Sequence, residues 1–340
     1  MEAHTTGNKA ERQWIPGLVD LQINGWAGID FNDPGLSTGS VETAAESILA
    51  TGVVSFLPTV ITGPLDAMEA ILATLAAAVQ SGVLTRRMIS GIHVEGPFIS
   101  PEDGPRGAHP RAHAIAPDIA SAERLYRASH GLIRMLTLAP ELPGAEVLIR
   151  WCTSKGIIAA IGHSNADATS IRRAVEAGAS FSTHLGNGCA SMLNRHSNLL
   201  WHQLADDRLR AAMIADGHHL PADVMKVFIR AKGDRLVLVS DATALGGSLP
   251  GTYTTPIGGK VVLSADGRLS MEGSPGTLAG AALPLVQGVL NLLDLGLADF
   301  DTAWCMASAR PASILGMKQV AGEVLWDFKD RRIVSTRFVD

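Results

Sequence analysis

Glu95 and His93 alternate within the apolar run Ser90-Gly91-Ile92-His93-Val94-Glu95, which stops at Gly96-Pro97. A buried strand that ends in this way delivers a carboxylate to its own C-terminal end. An unpaired acid in an apolar strand is costly, so Glu95 needs partners. Two later runs supply them, each ending in a histidine: Gly162-His163-Ser164-Asn165 and Ser182-Thr183-His184-Leu185. One carboxylate and two imidazoles are a common protein set for a catalytic zinc or a similar ion, with a position left open for water. Asp241, in Leu238-Val239-Ser240-Asp241-Ala242, ends a fourth run and supplies a general base. An ion lowers the pKa of water toward neutrality, and a carboxylate within hydrogen-bond reach takes the proton. Any one of these residues alone reads as a hydrogen-bonded structural side chain, whereas four at the ends of four strands read as a site.

The elements that must position them alternate along the chain. Apolar, β-branched runs predict strands at 18–23, 53–60, 88–94, 133–138, 156–161, 181–184, 211–215 and 235–240. Helical periodicity and capping residues predict helices at 65–80, 118–130, 144–155, 167–177, 199–205 and 221–232. Eight strands with helical crossovers are the count for a closed α/β fold, a (β/α)8 TIM-like barrel, and such barrels keep their active sites at the C-terminal ends of the strands. An open doubly wound sheet is the competing architecture, but no GxGxxG follows the first strand. The Pro-, Gly- and His-containing stretch 101–117 is long enough to read as a functional cover. Beyond the eighth strand, Asp266-Gly267 between alternating segments predicts a β-hairpin insertion over 251–272. Helices at 283–295 and 302–315 and two short strands near the end follow. The expected organisation is an N-terminal segment 1–15, a barrel domain 16–320 and C-terminal strands 321–340.

Composition narrows the class. A chain of 340 residues that is 46% hydrophobic can bury one large core. A net charge of −5 without basic runs gives no footprint for nucleic acid or for an anionic membrane. Cys152, Cys189 and Cys305 are scattered and odd in number, which argues against a disulfide framework. The polar start lacks the apolar core of a signal peptide, and no apolar run reaches the roughly 18 residues of a membrane span. A cytoplasmic enzyme with a small-molecule substrate is the expectation.

Six motifs carry a resemblance over nearly the whole chain. They are Pro16-Gly17-Leu18-Val19-Asp20-Leu21-Gln22-Ile23-Asn24-Gly25, His93-Val94-Glu95-Gly96-Pro97-Phe98, Gly162-His163-Ser164-Asn165-Ala166, Thr183-His184-Leu185, Ala215-Asp216-Gly217-His218-His219 and Ser240-Asp241-Ala242. The chain resembles the amidohydrolase superfamily of metal-dependent hydrolases and, within it, the N-acetylglucosamine-6-phosphate deacetylase family. The resemblance implies Glu95, His163 and His184 as ligands of one divalent ion, Zn2+ first, with Fe2+, Mn2+ or Co2+ as alternatives. It implies Asp241 as the acid that activates water and then protonates the leaving amine, and His109 as the residue that polarises the substrate carbonyl. His219, Asn187 and Gly188 match the phosphate-contacting positions. Arg195 matches an arginine that reaches the neighbouring subunit's substrate, which implies a homodimer. Gln22, Asn24 and Leu278 complete the expected substrate-binding set. Gln22-Ile23-Asn24 stands where many amidohydrolases have His-x-His, so one tightly held ion is expected. His93 lies one step deeper on the strand face of Glu95 and is expected to support it from behind.

Three departures from the family pattern bear on substrate. Leu185-Gly186-Asn187-Gly188-Cys189 replaces Leu-aromatic-Asn-Ala-Met, and loss of the aromatic is expected to open the pocket. The segment 194–202 adds His196 and His202, which bind an anion or stabilise the turn. Only fifteen residues precede Pro16, so the family's N-terminal β-sandwich is expected to be reduced or missing. The expected reaction is hydrolysis of the N-acetyl group of an amino-sugar phosphate, N-acetylglucosamine 6-phosphate first. The alternatives are an amidase or deacetylase for another N-acyl substrate, and a catalytically silent sugar-phosphate-binding homologue.

Overall fold

The computed structural model of the chain describes residues 11–255 and 259–339. Residues 1–10 of the expected N-terminal segment, 256–258 of the expected insertion and residue 340 lie outside the described residues. Arg12–Pro16 (β1) leads into Leu18–Ile23 (β2), and a two-residue ladder follows between Gly25–Trp26 (β3) and Ile29–Asp30 (β4). Then come Val53–Ile61 (β5), Ile92–Glu95 (β6), Ile133–Leu138 (β7), Ile158–Ile161 (β8), Phe181–Ser182 (β9), Arg210–Ile214 (β10) and Leu236–Val239 (β11). Their parallel sheet runs in the order β11-β10-β9-β8-β7-β6-β5-β2. The strands are buried on both faces, as their nearly continuous apolar character requires. Residues just past β11 close the ring onto β2 and its exit: the Asp241 amide donates to the Gln22 carbonyl and the Asn24 amide to the Ala242 carbonyl. Among the described residues no helix is long and apolar enough to cross a membrane.

Local chemistry explains the crossovers. The side chains of Asp118, Asp167 and Asn198 accept amide hydrogens in the first turns of helices Ile119–Ala128, Ala168–Ala177 and Leu199–Ala205. The structure adds helix Thr38–Leu49, capped by Ser37, which its Ser, Thr and Gly content conceals although Val41, Ala44, Ala45 and Ile48 form a helical stripe. The third barrel strand starts at Ile92 rather than 88, because Val83–Met88 is helical and Gly91 turns the chain at φ 144°. The expected helix 302–315 divides into Phe300–Ala307 and Ala309–Ile314, and at the break the Ser308 hydroxyl donates to the Gly17 carbonyl.

Two small sheets flank the barrel. The insertion is larger than the hairpin expected over 251–272. Gly251–Thr255 (β12), Gly259–Leu263 (β13), Leu269–Met271 (β14) and Ser274–Leu278 (β15) form a four-stranded antiparallel sheet, with Asp266-Gly267 in the turn between β13 and β14. Gly322–Asp327 (β16) pairs with β1 on one side and Arg332–Phe338 (β17) on the other. Trp326 in β16 packs on Trp304 and Phe300, and the Trp304 indole donates to the Pro16 carbonyl. That contact anchors this sheet to the entry of the first barrel strand.

Candidate active site

Glu95 ends β6, His163 follows β8 and His184 follows β9, so three separate barrel strands deliver the three donors. All three side chains are buried. Glu95 Oε1 lies 3.1 Å from His163 Nε2 and 2.9 Å from His184 Nε2, and the two Nε2 atoms are 3.1 Å apart. A tetrahedral ion with bonds of about 2.1 Å spaces its ligands by about 3.4 Å, so this triangle needs only a small expansion to hold one. His163 Nδ1 lies 3.0 Å from the Pro105 carbonyl and donates to it, which leaves the Nε2 lone pair for a cation. The residues present therefore fit a divalent ion. Glu95, His163 and His184 are also the metal-capable cluster found among the described residues. Burial works against the Glu95 charge, but the two imidazoles hold its carboxyl well below the ordinary range.

Asp241 faces this triangle from the exit of β11. Its Oδ1 accepts from Asn24 Nδ2 at 2.7 Å and Gln22 Nε2 at 2.9 Å, and the same Gln22 amide also donates to Glu95 Oε1 at 3.1 Å. One amide thus fixes the spacing between the candidate ligand and the candidate base. Burial pushes the Asp241 carboxyl up to about 6, opposed by His184 and reinforced by Glu95. Such a value suits a group that must take and return a proton near neutral pH. Asp241, His163 and His184 all have positive φ, at 50°, 50° and 24°. Non-glycine residues held there are uncommon and collect at active sites.

A cavity of about 700 Å³ opens over these groups. Of the residues expected to contact substrate, Asn24, His109, Asn187, Gly188, His219 and Leu278 line it, Leu278 from the insertion sheet. Gln22 does not line it: at 2% exposure it lies beneath the floor, bridging Glu95 and Asp241. Arg195 does not line it either and is exposed in the turn that Asn194 organises. His202 in that segment lies 3.3 Å from Ser197 Oγ. Gly186 does not open the pocket, because a side chain there would point at Leu220 and Phe228 and away from the cavity lining. His93 sits behind the site, its Nε2 2.7 Å from Thr137 Oγ1, which in turn meets Thr183 Oγ1 at 2.7 Å. A second cavity, about 830 Å³, lies between Trp26, the start of helix Ala222–Lys232 and the Asp266 turn, and neither the triangle nor Asp241 lines it.

His109 is buried on the 101–117 stretch, with its ring 4.2 Å from that of His163. Burial and the neighbouring His163 push its pKa down to about 3, so it is neutral. Its Nδ1 lies 2.9 Å from Thr62 Oγ1. The Thr62 hydroxyl has two acceptors in reach, this nitrogen and, at 3.3 Å, the Glu95 carbonyl; when it donates to the nitrogen, His109 Nε2 carries the hydrogen and can donate to a carbonyl oxygen. His219 Nδ1 donates to Asp216 Oδ2 at 2.7 Å, a contact that holds the Asp216 carboxyl at about 2 in spite of burial. Thr62, Glu141 and Asp216 are the supporting residues that sequence reasoning did not assign. Thr62 and Glu141 follow strands and could have been sought there, but a threonine or a glutamate in a loop carries no signal of its own.

Buried donors brought together from separate strand ends, with an acid poised opposite, define a hydrolase of the amidohydrolase superfamily. No protein-family model matches the chain. The chain is 36% identical over 316 residues, 90% of its own length and 75% of the relative's, to an N-acetylglucosamine-6-phosphate deacetylase of Bos taurus. It is 31% identical over 309 residues, covering 91% of this chain and 80% of the relative, to an N-acetylgalactosamine-6-phosphate deacetylase of Escherichia coli O157:H7. A mutant N-acetyl-D-glucosamine-6-phosphate deacetylase of Mycobacterium smegmatis, solved in complex with N-acetyl-D-glucosamine-6-phosphate, superposes with a TM-score of 0.86 at 27% identity, covering 96% of this chain and 86% of that one. The chain belongs to the N-acetylglucosamine-6-phosphate deacetylase family.

Proposed function

We propose that this chain hydrolyses the N-acetyl group of N-acetylglucosamine 6-phosphate, giving glucosamine 6-phosphate and acetate. The observation that carries the reading is the buried Glu95, His163 and His184 triangle facing Asp241 across a cavity of sugar-phosphate size, in a chain of this family. An ion held by the triangle, Zn2+ by preference, supplies Lewis acidity to the amide carbonyl and acidifies water. His109 donates from Nε2 to the same carbonyl oxygen. Asp241, with Oδ1 held by Asn24 and Gln22, keeps Oδ2 for the proton of the attacking water. As the water oxygen bonds to the carbonyl carbon and the C–N bond breaks, Asp241 passes that proton to the amine nitrogen. His219, Asn187 and the Gly188 amide hold the phosphate.

Arg195 acts in trans in a homodimer, a reading supported by the exposed Met192 and Trp201 that flank it, at 90% and 50% exposure. Three free thiols accord with a cytoplasmic setting. N-acetylgalactosamine 6-phosphate is a second reading, favoured by the 31% identical Escherichia coli relative and by the altered turn 185–189. The test is acetate release by Zn2+-loaded protein from both 6-phosphates and from the free N-acetyl sugars. N-acetylglucosamine 6-phosphate is expected to give the highest kcat/KM, and no acetate from any of the four would end the proposal.

A further inference from the structure

We propose that Glu141 is a positioning residue that clamps the turn after β8, seating at once the ligand His163 and the segment that carries His109. Glu141 lies just beyond β7, the neighbouring barrel strand. Its Oε2 accepts from Ser164 Oγ at 2.7 Å and its Oε1 from the Asn165 amide at 2.6 Å. These are the two residues that follow His163, whose own backbone sits at φ 50°. A residue in that conformation is held by its surroundings and not by its own preference, and Glu141 grips the next two residues, one through its side-chain hydroxyl and one through its backbone amide. Ser164 is fully buried, and its hydroxyl accepts from the Ala166 amide while it donates to Glu141, so the clamp is satisfied in both directions.

The inner side of the same turn is where the 101–117 stretch lands. The Ser100 amide donates to the His163 carbonyl at 3.0 Å, His163 Nδ1 donates to the Pro105 carbonyl at 3.0 Å, and Asn165 Nδ2 donates to Glu102 Oε2 at 3.0 Å. His109 then packs its ring against that of His163, tilted by 60°. The ligand and the carbonyl-polarising histidine therefore share one seat, residues 163–165, with Glu141 behind it. Burial raises the Glu141 carboxyl above the ordinary range while its two donors oppose that rise, as expected of an acid kept in place for its hydrogen bonds.

The inference rests on the proposed hydrolysis only for its kinetic arm. Zn2+ affinity by chelator competition, amide hydrogen exchange over 101–109, and kcat and KM are measured for Glu141→Ala, Glu141→Gln and Asn165→Ala. Glu141→Ala is expected to weaken Zn2+ binding about 10–100-fold, the usual cost of losing a residue that orients a ligand, and to speed exchange over 101–109. Glu141→Gln restores affinity to within a few-fold, because its amide oxygen accepts from the Asn165 N–H and its NH2 donates to Ser164 Oγ. Asn165→Ala speeds exchange and raises KM while Zn2+ affinity holds. Parent-like affinity and exchange in Glu141→Ala, or a Gln variant as impaired as the Ala one, would overturn the proposal. Should Glu141→Ala fail to fold, Ser164→Ala removes one of the two bonds, and unchanged readouts there overturn it equally. A parent that binds Zn2+ but releases no acetate sinks the functional reading and leaves the affinity and exchange arms standing.

Discussion

Asp241 carries the proton in the proposed reaction, yet no atom of it is needed to hold the ion. Asp241→Asn keeps an Oδ1 that accepts from Asn24 and Gln22 and removes only the basic oxygen. Its kcat is therefore expected to fall about 10²–10⁴-fold, the range for loss of a general base, with Zn2+ content unchanged by elemental analysis. A variant that had lost the metal as well would make Asp241 a ligand instead. Glu95 and His93 separate in the opposite sense. Glu95→Gln removes the charge from the vertex that both imidazoles meet and should leave no bound metal after dialysis. His93→Asn disturbs the Thr137–Thr183 chain behind the site and leaves the three donors in place, so it should lower metal affinity without abolishing it. Equal metal retention by these two variants would contradict the strand geometry. Glu95, His163, His184 and Asp241 were legible because each is a polar residue ending an apolar run. Gln22 was legible as present but not in its duty: sequence shows an amide where a metal-binding histidine is common, while only the fold shows it bridging Glu95 and Asp241, the candidate ligand and the candidate base, beneath the cavity.

The three donors belong to three strands, β6, β8 and β9, and this gives the elements a measurable dependence on the ion. A ligand bound by the folded state alone stabilises it by about 4 kcal/mol at a thousandfold excess over Kd. For a chain of this size that corresponds to a fall in Tm of about 6 °C when the metal is chelated. Scanning calorimetry with and without chelator should show that fall in the parent and none in Glu95→Gln. A parent indifferent to chelator would mean that these strand ends hold no ion. At this scale the barrel strands and most crossover helices were readable from period and capping. The four-stranded insertion was only half readable, because Asp266-Gly267 announces one turn while nothing local reveals that β15 returns to line the cavity with Leu278. Gly186 misled for a related reason. Its place in the motif suggested a pocket wall, and its direction, toward Phe228, is a property of the packed helix Ala222–Lys232.

Closure of the whole barrel depends on the seam between its first and last strands, and Asp20 lies in that seam. It is fully buried on β2, and its carboxylate accepts from the Ser240 and Gln22 amides, so it joins the two ends of the ring. The motif Pro16-Gly17-Leu18-Val19-Asp20 marked the start of the barrel, but the partner of Asp20, 220 residues away, emerges only when the ring closes. Burial pushes its carboxyl up to about 7, more than the Ser240 and Gln22 hydrogen bonds pull it down. Since the folded value lies above the unfolded one, about 3.9, the folded state keeps a proton that the unfolded chain has released. Stability from this group is thus greatest in acid, declines as pH rises from about 4 to about 7, and is constant beyond. Linkage gives a loss of about 2–3 kcal/mol between pH 5 and pH 8. Asp20→Asn can still accept both amides but does not titrate. In urea unfolding at matched metal load, the parent should lose about 2–3 kcal/mol relative to Asp20→Asn over that interval. A gap between the two proteins that stays constant from pH 5 to pH 8 would mean that Asp20 is ionised throughout and that the seam is held by a charge.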